Sequence, residues 1–263
     1  MIKDNPNWKS IDGKQREKIY QKAKTLKEAI MKSNTKWFYD ETVQVGTDYQ
    51  DISNVQAYDM QMEKFRDVKK EATDIIESIC LGEKHSLLEI GTGTGNFAIE
   101  AAKHCNKVYA IDVSSAMIAY AKQKAQKMGM SNISFCQAGF LSYEHNGDLD
   151  MIVSNLALHH LPDFWKMIAL KKIYKLLKNG GTFYLDDVVF SFPVEEYDYK
   201  IDNWIDAIKE KAGINFAEEA QMHIKEEYST FDWIIEEMLH KSGFEFEIRH
   251  KDDFFALYYC KKN

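Results

Sequence analysis

The chain has 263 residues, 45% of them hydrophobic and 29% charged, with a formal net charge of −7. That balance excludes a disordered or collagen-like chain. No apolar run approaches the ~20 residues of a membrane span. The 34 Lys and Arg are interleaved with 41 Asp and Glu rather than gathered in a basic patch, which argues against a nucleic-acid binder. The opening "MIKDNPNWKSIDGK" has no apolar signal core, so the expected setting is cytoplasmic, with no membrane partner. Cys80, Cys105, Cys136 and Cys260 lie at no metal or redox spacing and are expected to be buried free thiols.

In chain order, residues 1 to about 80 read as helical and polar. Ile19, Ala23, Leu26 and Ile30 repeat at helical spacing after a capping Asp12. Tyr58, Met62, Phe65, Val68, Ala72, Ile75 and Ile79 do so again, with an aromatic, irregular loop between the two runs. Residues 85 to 190 then alternate strand and helix signals. The predicted strands are "SLLEI", "KVYAID", "ISFCQA", "LDMIVSN" and "GTFYLDDVVF". Such alternation implies a parallel sheet covered on both faces. Residues 194 to 242 are helical again. "FEFEIRH" and "FFALYYCKK", split only by "KDD", predict an antiparallel hairpin at the sheet's end.

The chemistry begins at "LLEIGTGTGNFAIEAA". A strand ends on Glu89; Gly91, Gly93 and Gly95 follow with Thr92 among them, and a helix starts near Asn96. Glycines here let the backbone bend and a ligand approach without Cβ clashes, and the helix presents free N–H groups. Asp112 ends the next strand about 20 residues on, where an acid can accept from both ribose hydroxyls of an adenosine. The turn reads G-x-G-x-G, with Asn96 in the last slot of the dinucleotide pattern G-x-G-x-x-G.

These segments resemble the class I (Rossmann-like) S-adenosylmethionine-dependent methyltransferases. The resemblance rests on "LLEIGTGTGNFA", "VYAIDVSSAMIAYAKQKA", "DMIVSNLALHHLPD" and "LLKNGGTFYLDD", and covers residues 85 to 190 together with the closing hairpin. It implies an α/β fold with a seven-stranded sheet in the order 3-2-1-4-5-7-6 and strand 7 antiparallel. The organisation expected is an N-terminal helical and aromatic segment (1–57), a core (58–193 and 243–263) and a helical insert (194–242), the first and last forming a lid.

The resemblance also implies roles for single residues. The cofactor is S-adenosylmethionine, touched by Glu89, Gly91, Thr92, Gly93, Gly95, Asp112, Val113, Met117, Ala138, Gly139, Phe140, Asn155 and Leu156. Members commonly carry an acid after strand 3 that meets the adenine amine; here Gly139 stands in that place. "NLAL" after strand 4 is not the Asn-Pro-Pro-aromatic tetrad of nucleic-acid and glutamine amino-methyltransferases, which points to a small-molecule acceptor. His159 is the catalytic candidate, and Tyr39, Tyr49, His160, Asp186, Tyr228 and Trp233 are candidates for the acceptor pocket. No metal is expected, because His159 and His160 are adjacent rather than four apart and no carboxylate–His cluster is visible around them. The alternative is a nucleotide-cofactor oxidoreductase or a non-catalytic cofactor-binding module on the same fold. A monomer or homodimer is expected.

Overall fold

The computed structural model describes residues 37–43, 55 and 67–263. Tyr49, the Asp12 cap and the Ile19–Ile30 periodicity lie outside the described residues, as do Tyr58, Met62 and Phe65. The chain divides into two compact units, Met1–Asp40 and Glu41–Asn263. Of the first, the described stretch carries Trp37 beside Phe38, ring centroids 6.1 Å apart, with Trp37 largely exposed.

The second unit opens on helix α1 (Val68–Ser78), whose first turn is capped by Asp67 accepting from the Lys70 N–H at 2.9 Å. The apolar stripe read from the sequence buries Ala72 and Ile75 against the sheet's other cover, helix α2 (Asn96–Ala101). The remaining order is β1 (Ser86–Ile90), α2, β2 (Lys107–Asp112), α3 (Ser115–Lys127), β3 (Ile133–Gln137), β4 (Leu149–Asn155), α4 (Asp163–Leu176) and β5 (Leu177–Phe190). The insert follows as α5 (Tyr197–Ala212), α6 (Ile214–Glu226), β6 (Thr230–Phe231) and α7 (Asp232–Ser242), and β7 (Glu245–His250) and β8 (Phe255–Lys261) close the chain.

The sheet runs β3-β2-β1-β4-β5-β8-β7, with β8 antiparallel to both neighbours. This is the expected order; the count reaches eight because the two-residue β6 pairs with the end of β5. Leu87, Leu88, Val108, Ile111, Ile152 and Phe183 are fully buried, as strands covered on both faces require. β5 begins four residues earlier than predicted, its Leu177 pairing with Leu149 across an irregularity in the ladder. The aromatics of the insert serve in part as the joint to the sheet: Trp204 stacks on Phe254 at 4.5 Å. Among the described residues no helix is long and apolar enough to cross a membrane. All four cysteines are free, but only Cys105 and Cys260 are buried. Cys80 and Cys136 are exposed because one follows the end of α1 and the other lies on the edge strand β3.

Candidate functional site

At the carboxyl ends of β1, β2 and β4 lies a cavity of about 230 Å³. This is where parallel α/β sheets bind ligands. Its floor is the turn after β1. Gly91, Gly93 and Gly95 all have positive φ, at 78°, 52° and 79°. They differ in what a side chain would meet. A Cβ on Gly91 would lie 2.5 Å from the Ala157 Cβ, and one on Gly95 would lie 2.9 Å from the Ala121 Cβ. One on Gly93 would enter open space. Gly91 and Gly95 therefore permit close packing, and Gly93 keeps the cavity clear. Gly95 is not among the lining residues; it caps α2 and packs on α3.

Two carboxylates set the polarity of this end. Asp112 accepts from the Gly93 N–H and the Ser114 N–H, both at 2.8 Å, so the β2 acid and the β1 turn hold each other in place. Glu89 is buried, accepts from the Thr92 hydroxyl at 2.5 Å, and has its carboxyl pushed up to about 8 by burial. Burial raises Asp112 as well, against the backbone hydrogen bonds that favour its charge. Asn155 Oδ1 is buried on the cavity wall with no hydrogen-bond partner among the described residues. Leu156 beside it has φ 53°, a left-handed conformation for a non-glycine residue. Backbone strain of this kind gathers at ligand sites.

Of the expected cofactor residues, Glu89, Gly91, Thr92, Gly93, Asp112, Val113, Met117, Ala138, Gly139, Phe140, Asn155 and Leu156 line the cavity. The sequence reading missed the opposite wall. Val68, Glu71, Ala72 and Ile75 line it from one face of α1, at the spacing i, i+3, i+4, i+7. Glu41 is a further addition. Its carboxylate accepts from the Leu141 N–H at 2.9 Å and the Ser142 N–H at 2.8 Å, and lies directly over Gly139.

The acceptor candidates divide. His160 lines the cavity, and Asp186, Tyr228 and Trp233 do not. Asp186 is buried and pairs with Lys251. Tyr228 gives its backbone to His159 and Lys166 instead, its N–H reaching the His159 carbonyl at 3.0 Å. Trp233 is largely exposed. Tyr39 belongs to the first unit.

His159 lies behind the wall, not on it. Its Nδ1 is 2.5 Å from Asp187 Oδ1 and its Nε2 is 3.2 Å from Glu227 Oε2. Both of its ring nitrogens are engaged there, and it does not line the cavity. The expectation that no carboxylate–His cluster surrounds it fails, because Asp187 arrives on β5 and Glu227 at the end of α6. Burial alone would lower His159, but the two carboxylates hold it up to about 9. Burial beside that charge pushes His160 down to about 4. Hydrogen bonds from His159 and His223 hold Glu227 well below the carboxylate range, against the effect of burial.

The comparisons agree with this architecture. Residues 81–242 match the family described as "Methyltransferase domain". An uncharacterized methyltransferase of Bacillus mycoides is 31% identical over 192 residues, covering 73% of this chain and 83% of the relative. Among solved structures, the YcgJ protein of Bacillus subtilis superposes with a TM-score of 0.55 at 16% identity, over 73% of this chain and 98% of that one. Phosphoethanolamine N-methyltransferase 2 of Haemonchus contortus, in complex with S-adenosyl-L-methionine, gives 0.63 at 16% identity, over 81% of this chain and 57% of that one. The chain belongs to the methyltransferase-domain family and is an S-adenosylmethionine-dependent methyltransferase of class I.

Proposed function

We propose that the protein methylates a small-molecule acceptor by in-line displacement at the sulfonium carbon. The observation that carries this reading is the polarity of the cavity. Glu89, Asp112 and Asn155 line it from β1, β2 and β4; Val68, Ala72, Ile75 and Leu161 line it with apolar surface, joined by Glu71 and His160. The first set suits an aminoacyl and ribosyl cofactor, and the second a small, partly apolar acceptor. Family membership favours methyl transfer over the oxidoreductase alternative, as does the incomplete dinucleotide turn.

The bound cofactor supplies an activated methyl group. The chain's own residues then do three things. The glycine turn and Asp112 hold the ribose end. Asp112 takes the hydroxyl donors on the lone pairs that Gly93 and Ser114 leave open. Glu89 meets the amino group, and Glu41 takes the role of the adenine-facing acid that Gly139 leaves vacant. The apolar face of α1 excludes water and holds the nucleophile in line, an effect worth roughly 7–11 kcal/mol in well-oriented systems. His160, held neutral on the cavity wall, is able to accept a proton from an amine or hydroxyl acceptor.

Calorimetry with S-adenosylmethionine, its demethylated product and NAD, followed by a methyl-release screen over small amines, thiols and phenols, tests the reading. Transfer to one of these classes is the expected result. Methyl incorporation only into protein or nucleic acid would overturn the small-molecule acceptor, and tighter binding of NAD would overturn the site.

A further inference from the structure

Behind the cavity wall, three imidazoles converge on one carboxylate oxygen. Glu227 Oε2 lies 3.2 Å from His159 Nε2, 2.5 Å from His223 Nδ1 and 3.9 Å from His160 Nδ1. The methyl-transfer reading uses none of His159, His223 or Glu227.

The hydrogen bonds around the cluster fix how these rings present themselves. The Asp187 carboxylate accepts from the Leu158 N–H at 2.8 Å, the His159 N–H at 3.2 Å and the Val188 N–H at 2.8 Å. So anchored, it remains an acceptor, and His159 Nδ1 must carry the proton that it shares with Asp187. The other nitrogen, Nε2, faces Glu227 Oε2 at 3.2 Å, where a proton on Nε2 or a cation between the two satisfies the pair. His223 is held in the same way: its Nε2 meets the Ser229 hydroxyl at 2.7 Å, and its Nδ1 turns to the same Glu227 oxygen. In the metal-free chain a proton on His159 Nε2 and another on His223 Nδ1 serve these two pairs. A single dication would serve both.

We propose that His159 Nε2, His223 Nδ1 and Glu227 Oε2 form a three-ligand site for a divalent transition metal of the Zn²⁺ class, with the fourth tetrahedral position open. Two imidazoles and one carboxylate with an open fourth position are a donor set such ions take. Asp187 behind His159 and Ser229 behind His223 are the outer hydrogen-bond partners that orient metal-bound histidines. Zn–N bonds of 2.0–2.1 Å place tetrahedral ligand atoms about 3.3 Å apart. His159 to Glu227 already has that spacing. His223 must retreat by about 0.8 Å to reach it. Metal entry expels the protons held between the rings and Glu227, so uptake releases protons to solvent. Such a site would pin the end of α6 to the loop after β4, and so fasten the insert to the core beside His160.

The site is independent of the methyl-transfer reading, because its test reads metal and not turnover. Full-length protein is stripped with a chelator and titrated with Co²⁺ and Zn²⁺. About one equivalent of Co²⁺ should bind with the intense visible absorption of a tetrahedral site, and Zn²⁺ should displace it. His223→Ala should weaken Co²⁺ binding at least tenfold. His250→Ala, in the more exposed group Asp232, Glu236 and His250, should leave it unchanged. No uptake, a weak six-coordinate spectrum, or uptake that survives His223→Ala and falls with His250→Ala would overturn the proposal. If His223→Ala does not fold, the wild-type Co²⁺ spectrum decides alone.

Discussion

The carboxylate of Glu41 occupies the space into which a side chain at position 139 would grow. A Cβ on Gly139 would lie 2.5 Å from Glu41 Oε2 and 2.7 Å from Val113 Cγ1. The two positions are 98 residues apart and behave as one: Gly139 is bare so that Glu41 can lie over it and accept from Leu141 and Ser142.

Gly139→Ala should therefore act through Glu41. The displaced carboxylate would lose two charge-assisted hydrogen bonds, each worth about 1.5–3 kcal/mol at most and less here, where one partner stays near water. Affinity for S-adenosylhomocysteine should fall about tenfold, and Glu41→Ala should cause a similar loss. In the double variant the two losses should overlap rather than add. Calorimetry on the four proteins measures this, and full additivity would show that Glu41 and Gly139 act separately.

The turn glycines should separate by role. Gly95→Ala meets both a φ of 79° and the Ala121 methyl, so it should destabilise the fold by roughly 2–4 kcal/mol while cofactor affinity of the folded fraction changes little. Gly93→Val has no protein atom to meet and projects into the cavity. It should cost about 1–2 kcal/mol in stability and abolish detectable cofactor binding. Chemical denaturation and ligand titration on both variants check this. Equal binding losses at the two positions would mean that Gly95 touches the cofactor after all.

Asp112→Ala should weaken cofactor binding by about 1.5–3 kcal/mol, the range for hydrogen bonds to a charged group. It also releases the Gly93 N–H, so hydrogen exchange at Gly93 and Ser114 should quicken. Asp112→Asn should keep part of the turn but lose ribose affinity. An unchanged dissociation constant for both variants would remove Asp112 from the site.

Most of the sheet was legible because strand runs with apolar alternation, broken by glycine, are local signals. "SLLEI", "KVYAID" and "LDMIVSN" match β1, β2 and β4 residue for residue. The partners of the site were harder to see. Glu41 sits in a stretch without periodicity, and nothing near it in sequence announces Gly139. The His159 cluster needed residues from β5 and from the end of α6, a meeting that only the tertiary fold creates. One clue was present: His223 and Glu227 stand four apart, on one face of a helix and its end. His159 and His160 drew notice as a pair, but adjacent residues point in different directions, and only His160 reaches the cavity.

The last prediction follows from the burial of Glu89. Its carboxyl titrates near 8 in the folded protein, against 4.5 for an ordinary glutamate. Between those values the folded state binds more protons than the unfolded state, so stability must fall as pH rises through the window. Thermal unfolding without ligand should show a midpoint that declines from about pH 5 to about pH 8, and Glu89→Gln should flatten the decline. Cofactor affinity should move the other way. An ammonium beside Glu89 favours the carboxylate, so binding at about pH 7 should expel up to one proton and tighten as pH rises toward about 7.5, below the range where the amino group itself titrates. Calorimetry in buffers of differing ionisation enthalpy counts that proton. A flat affinity over this range, with no proton released, would place the cofactor's amino group away from Glu89 and leave the buried acid a structural partner of Thr92 alone.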